Sequence, residues 1–193
     1  MAEVPSTFQL ELGEVAPPFS LPDPSGTLHH LEELAREKKG LLIAFVCNHC
    51  PFVIHLAKEF GVFASKIEET GVATVAISAN DIENYPADAP EKMAEFAEAN
   101  GWNFPYLYDE SQDVAKAYAA ACTPDFYLFD NNARLVYAGQ FDDSRPGRGE
   151  PTGNDLAKAV DNLLSGVETP LPWYPSSGCN IKWKPGAAPD YFG

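Results

Sequence analysis

The chain has 193 residues, 45% hydrophobic and 21% charged, a balance that supports one globular domain with a sizeable core. Its 13 Lys and Arg against 28 Asp and Glu leave a net charge of −15, which argues against nucleic-acid binding because little is left to neutralise phosphates. No apolar run reaches membrane-spanning length, and the Met-Ala-Glu-Val-Pro start lacks a basic segment followed by an apolar one, so a cytoplasmic protein with no membrane partner is expected. In that reducing compartment four cysteines point to redox or metal chemistry rather than to structural cross-links.

Residues 1–15 read as a loose lead-in. Pro17-Pro18-Phe19-Ser20-Leu21 is extended, Pro22-Asp23-Pro24-Ser25-Gly26 is turn chemistry, and Thr27-Leu28-His29-His30-Leu31 resumes in alternation, so a small hairpin is expected here. A short helical or irregular link leads to Gly40. Residues 41–46, Leu-Leu-Ile-Ala-Phe-Val, have the length and composition of a strand buried on both faces. Cys47-Asn48-His49-Cys50 follows, and Pro51 stands where a helix can start without losing an intrahelical bond. Phe52, Leu56, Phe60, Phe63 and Ile67 give that helix one apolar stripe as far as Gly71. Residues 72–78 repeat the buried-strand pattern, which makes strand, helix and strand a right-handed parallel unit.

Pro90 opens another helix, with Met93, Phe96 and Ala97 inward. A short extended piece spans 104–108, and Ser111 is placed to cap a helix running to about Ala120. Residues 125–129 and 134–139 are two arms of a hairpin around Asp130-Asn131-Asn132-Ala133. A last helix from Thr152 presents Leu156, Val160, Leu163 and Leu164 inward. Residues 167–193 carry five prolines and form an extended tail, laid over the domain through Trp173, Tyr174 and Trp183.

Cys50 would cap the helix that Pro51 begins, with its sulfur beside the free amides of the first turn. Those amides and the helix dipole favour a thiolate, and only the thiolate attacks a disulfide or peroxide. Functional groups gather at the carboxyl ends of parallel strands. Asn80 and Asp81 reach that edge. An antiparallel hairpin would add Cys122-Thr123-Pro124 from the start of its first arm and Gln140 to Arg145 from the end of its second.

With these motifs in place the sequence resembles the thioredoxin-like superfamily, and within it the peroxiredoxin-like branch related to alkyl hydroperoxide reductase and thiol-specific antioxidant proteins. The resemblance covers about 16–166 and rests on Ala16-Pro-Pro-Phe-Ser-Leu-Pro-Asp, Phe45-Val-Cys-Asn-His-Cys-Pro, and Thr123-Pro124 before a late strand. The ending Gly178-Cys179-Asn180-Ile181-Lys182-Trp183-Lys184 resembles that of an uncharacterised peroxiredoxin-like subgroup. The resemblance implies an α/β thioredoxin-like fold at 16–166, with a central mixed sheet flanked by helices, and a cis Pro124 facing the active-site cysteine. The sequence departs from the peroxiredoxin pattern Pro-x-x-x-Thr/Ser-x-x-Cys. Counting back from Cys50 puts Cys47 and Ile43 at the Thr/Ser and proline positions, and counting from Cys47 puts Ala44 and Gly40 there.

The leading reading is therefore a thiol-disulfide oxidoreductase with Cys50 attacking, Cys47 resolving and Pro124 shaping the groove. His49, Thr123, Cys122, Cys179 and Arg145 are auxiliary candidates. Protein or small-molecule thiols and disulfides are the expected partners, with a thioredoxin- or glutathione-type reductant and no metal or organic cofactor. A thiol peroxidase is the second reading. A redox sensor or metal-binding adaptor, with His49 or His55 as further ligands, is the third. The first reading requires Cys50 to be reachable and Pro124 to lie beside it.

Overall fold

The computed structural model describes residues 3–192. Its centre is a five-stranded sheet of β4 (Gly40–Phe45), β5 (Val72–Ser78), β6 (Tyr106–Tyr108), β8 (Asp125–Asp130) and β9 (Leu135–Gly139), in the order β6-β5-β4-β8-β9. β4 pairs parallel with β5, and β5 with β6, whereas β8 runs antiparallel to both β4 and β9. The two-residue period of a strand divides β4 between two cores. Leu42 and Ala44 join Val53, Leu56, Phe60 and Leu156 on one face, under α2 (Pro51–Glu69), α3 (Pro90–Ala99) and α5 (Asn154–Leu164). Leu41, Ile43 and Phe45 join Phe19, Leu31 and Tyr118 on the other. That second face lies under the hairpin β2 (Ser20–Pro22) and β3 (Leu28–His30), with α1 (Leu31–Ala35) and α4 (Asp113–Ala117).

Helix α2 begins at Pro51, as its sequence dictates, and buries Val53, Leu56, Ala57, Phe60, Phe63, Ala64 and Ile67. Phe52 is only half-buried, so the inward face sits one residue round from the stripe expected. Gly61 is required within it: a Cβ there would meet the Asn100 carbonyl and the Trp102 ring. Helix α4 is shorter than expected. Gln112, in the left-handed region at φ 65°, is its cap residue, while Ser111 Oγ accepts the Asp113 N–H at 3.2 Å.

The two ends of the chain differ most from expectation. The lead-in is not loose throughout: β1 (Glu3–Pro5) pairs antiparallel with β10 (Ser177–Asn180) of the tail. β10 pairs in turn with β7 (Cys122–Thr123), giving a second sheet in the order β1-β10-β7. Trp173 and Trp183 pack inward as expected, but Tyr174 is 67% exposed and engages through its carbonyl, which accepts the Gln140 N–H at 3.0 Å. No helix among the described residues is long and apolar enough to cross a membrane.

Candidate active site

β4 delivers the dithiol to the carboxyl edge of the sheet, and α2 starts there. Cys50 is the α2 cap residue, with extended backbone at φ −71° and ψ 122°. β8 runs antiparallel to β4 with Phe45 opposite Asp125, so the residues just before β8 return to the same edge. The Thr123–Pro124 peptide is cis. When protonated, the Cys50 thiol donates to the Thr123 carbonyl at 3.2 Å, a bond lost on ionisation, and Cys47 Sγ lies 3.4 Å from Thr123 Oγ1.

The electrostatics separate the two sulfurs. A hydrogen bond with Cys47 is the chief influence making Cys50 more acidic. Burial opposes it, and bonds from Cys179 and from the Val53 amide add to it, bringing Cys50 down to about 5. Its partner moves the other way: the same bond to Cys50, then burial, holds the Cys47 thiol well above the usual range. One negative charge on the pair therefore resides on Cys50.

The residues between the cysteines are held by a group the sequence reading missed. Asp88, fully buried, accepts from the Asn48 amide at 2.8 Å, the His49 amide at 3.3 Å, His49 Nδ1 at 2.7 Å and Asn80 Nδ2 at 2.8 Å. Burial works to protonate it, but the bonds from His49 and Asn80 outweigh that and keep it below the ordinary carboxylate range. The bond to Asp88 raises the His49 pKa, and the nearby Cys50 charge acts in the same direction. His49 also stacks on Tyr85, with ring centroids 5.6 Å apart and an interplanar angle of 7°. Asp88 sits in Pro86-Ala87-Asp88-Ala89-Pro90, where an acidic residue between prolines reads as a solvated loop.

Cys179 joins this cluster, and Cys122 and Arg145 do not. Cys179 packs in the same buried cluster as Cys47 and Cys50, and its side chain and backbone amide both favour the Cys50 thiolate. Burial first, and then the contact with Cys50, push Cys179 up to about 12. Cys122 is buried beside Pro124, whose carbonyl its thiol reaches at 3.7 Å, and burial raises its pKa well above the usual range. Arg145 is spent on its own loop, donating to the Asp142 and Ser144 carbonyls and to Gln140 Oε1. His55 bonds Ser144 Oγ at 3.0 Å, away from the dithiol. A different set, Cys47, His49 and Asp88, brings three potential metal ligands within 4.8 Å of one another. Both Asp88 oxygens are already committed to four donors, so that set has little capacity left for an ion.

The expectation of an open sulfur is not met. Cys50 is 0% and Cys47 1% exposed. The reason is the tail: β10 packs against α2 and pairs with β7, and Gly178 lies so close to Thr123 that a Cβ would strike the Thr123 carbonyl. A shallow cleft lined by Phe52, His55, Pro124, Phe141, Arg145 and Ser176 borders this seal.

A thiolate-stabilising dithiol between a sheet edge and a helix start, opposite a cis proline, defines a thioredoxin-like, peroxiredoxin-related protein. The AhpC/TSA family matches residues 12–138, and the chain belongs to that family. Two Mycobacterium tuberculosis proteins provisionally named peroxiredoxins are each 30% identical over 114 residues, which span 59% of this chain and 67% of theirs. An uncharacterised conserved protein of Geobacillus kaustophilus is 50% identical over 97% of this chain and 99% of its own, with a TM-score of 0.91. A hypothetical protein of Sinorhizobium meliloti is 47% identical over 94% and 99%, also at 0.91. The Mycobacterium tuberculosis peroxidoxin BcpB shares the fold at 20% identity and a TM-score of 0.62, covering 83% of this chain and 100% of that one.

Proposed function

We propose that the chain is a thiol-disulfide oxidoreductase of the cytoplasm, working without a metal or organic cofactor. The Cys50 thiolate attacks a disulfide sulfur, forming a mixed disulfide and releasing the first thiolate. Cys47 then loses its proton and attacks the Cys50 sulfur. The second half of the substrate leaves as a thiol, and Cys47 and Cys50 are joined. A thioredoxin- or glutathione-type dithiol or thiol restores the reduced pair. What supports this reading is the place of Cys50 as the cap residue of α2, where the S–H of Cys47 and the Val53 amide favour its thiolate. Asp88 and His49 are assigned as positioning residues, because they fix Asn48 and His49 between the sulfurs. Pro124 and Thr123 form the wall that Cys50 faces. Because the sulfur is sealed, the reading requires the tail strand to move aside during turnover. Reduction of glutathione disulfide or insulin tests it: Cys50→Ser must abolish turnover, and activity that survives this change rejects Cys50 as the attacker.

A second reading, thiol peroxidase, is favoured by the AhpC/TSA match and by the seal itself, since a hydroperoxide needs a smaller opening than a protein disulfide. Cys50 would take the near oxygen as the O–O bond breaks, the far oxygen would leave and take up a proton as an alcohol or water, and Cys47 would then displace water from the sulfenic acid. Stopped-flow oxidation by hydrogen peroxide separates the two: a rate no faster than a free thiol's removes the second reading.

A further inference from the structure

We propose that Cys179 is a third redox thiol, able to take the place of Cys47 in closing a disulfide on Cys50 and so to tie the tail strand covalently to the active-site helix. This rests on the attacking role given to Cys50.

Strand register carries the argument. In the antiparallel pair of β10 and β7, Cys179 stands opposite Thr123 and Asn180 opposite Cys122. Directly opposed residues send their side chains to the same face. Cys179 therefore lies on the face where Thr123 Oγ1 meets Cys47 Sγ, the face of the dithiol. Strand alternation turns Cys122 to the opposite face, where Ser6 and Asp125 lie. Cys179 and Cys47 thus share the buried cluster around the Cys50 sulfur, and both favour its thiolate. An extended peptide adds to a sheet through a free strand edge. Here the chain's own tail occupies the β7 edge, and Cys179 stands where a docked substrate would bring its sulfur.

The chemistry balances with any disulfide as oxidant. The Cys50 thiolate attacks glutathione disulfide; the Cys50–glutathione bond forms, the glutathione S–S bond breaks and one glutathione thiolate leaves. Cys179 gives up its proton and attacks the Cys50 sulfur. The Cys50–Cys179 bond forms, and the second glutathione departs and takes the proton. Burial is the main influence that keeps Cys179 protonated; the second, the contact with the Cys50 charge, is lost once Cys50 is in the mixed disulfide.

Cys47→Ser is treated with glutathione disulfide, quenched with acid, alkylated and peptide-mapped, beside the wild type and Cys47→Ser/Cys179→Ser. Circular dichroism verifies that both variants are folded. The expected product in Cys47→Ser is a Cys50–Cys179 disulfide. Its glutathione adduct should decay about tenfold or more faster than that of the double variant, as an intramolecular thiol allows. An adduct on Cys50 equally long-lived in both variants, or a bond from Cys50 to Cys122, overturns the proposal while leaving Cys50 as the attacker. A Cys50 that stays unmodified in every protein overturns both.

Discussion

Replacing Cys47 by Ala tests the origin of the Cys50 acidity without requiring the site to open. The Cys47 S–H is the largest single influence lowering Cys50 to about 5. A hydrogen bond to a charged group is worth about 1.5–3 kcal/mol, and each pH unit corresponds to about 1.4 kcal/mol, so its loss moves the Cys50 midpoint up by about 1–2 units. Cys47→Ser keeps a donor and should move it less. Thiolate ultraviolet absorbance followed against pH reads this as an equilibrium, so the tail cannot mask it, and Cys122 and Cys179 ionise far above the window. Thermal unfolding gives a second readout. A thiol whose folded pKa is depressed contributes stability above its unfolded value, about 8.5, and loses that contribution as pH falls through the folded value. The Cys50 contribution to the stability of the reduced wild type should therefore grow as pH rises from about 5, and it is read as the difference from Cys47→Ala, in which the Asp125 contribution cancels. In Cys47→Ala the rise should start about 1–2 units later. A Cys47→Ala midpoint equal to the wild type's, or a wild-type midpoint near 8.5, that of a free thiol, refutes the argument.

Changes at three further residues probe the supports of the site. Asp88→Ala strands the Asn48, His49 and Asn80 donors and should cost about 3–5 kcal/mol in urea unfolding of the reduced protein. Because Asp88 is held below the ordinary carboxylate range, the wild type should also lose stability as pH falls through that lowered value, and Asp88→Asn should lack this acid limb. Asp125 behaves oppositely. Burial raises it to about 6, so its folded state retains the proton, and stability should fall as pH rises from about 4 to 6, by roughly 3 kcal/mol; Asp125→Asn should flatten that limb, measured by chemical unfolding at each pH. Gln112 clamps the tail, its Nε2 donating to the Ala79 and Lys182 carbonyls at 2.6 and 3.0 Å and its Oε1 accepting the Lys184 N–H at 2.8 Å. Gln112→Ala should raise the rate of Cys50 alkylation by iodoacetamide about tenfold for each 1.4 kcal/mol by which opening becomes easier.

The sheet and its dithiol were legible because local pattern and tertiary fate agree there. Residues 41–46 are apolar without interruption because both faces of β4 are covered, and Pro51 marks the start of α2 because it needs no donor. Thr123-Pro124 found its place from topology, since an antiparallel β8 must begin at the edge where β4 ends. The second sheet left no such mark. β1 and β10 are Glu-Val-Pro and Ser-Gly-Cys-Asn, too short and too polar for a period, and the pairing of Glu3 with Cys179 is set by tertiary contact alone. The same blindness hid Asp88, whose burial comes from Asn48, His49 and Asn80 converging on it. It also hid the sealing of Cys50, which the tail strand imposes from the far end of the chain.

The seal and the acidity are one thermodynamic object. Of the donors that stabilise the Cys50 thiolate, Cys47 and Val53 belong to the motif and the helix, but the Cys179 amide belongs to the tail. Moving the tail aside therefore removes a donor from the charge, and the open form must hold Cys50 as a weaker acid than the closed form. Linkage is reciprocal, so ionising Cys50 must hold the tail down, and discharging it must loosen the tail. A mixed disulfide or a sulfenic acid on Cys50 carries no such charge. On the proposed reading, either chemistry at this sulfur would weaken the hold of the strand that covers it. On the same reading, reduction to the thiolate would restore that hold.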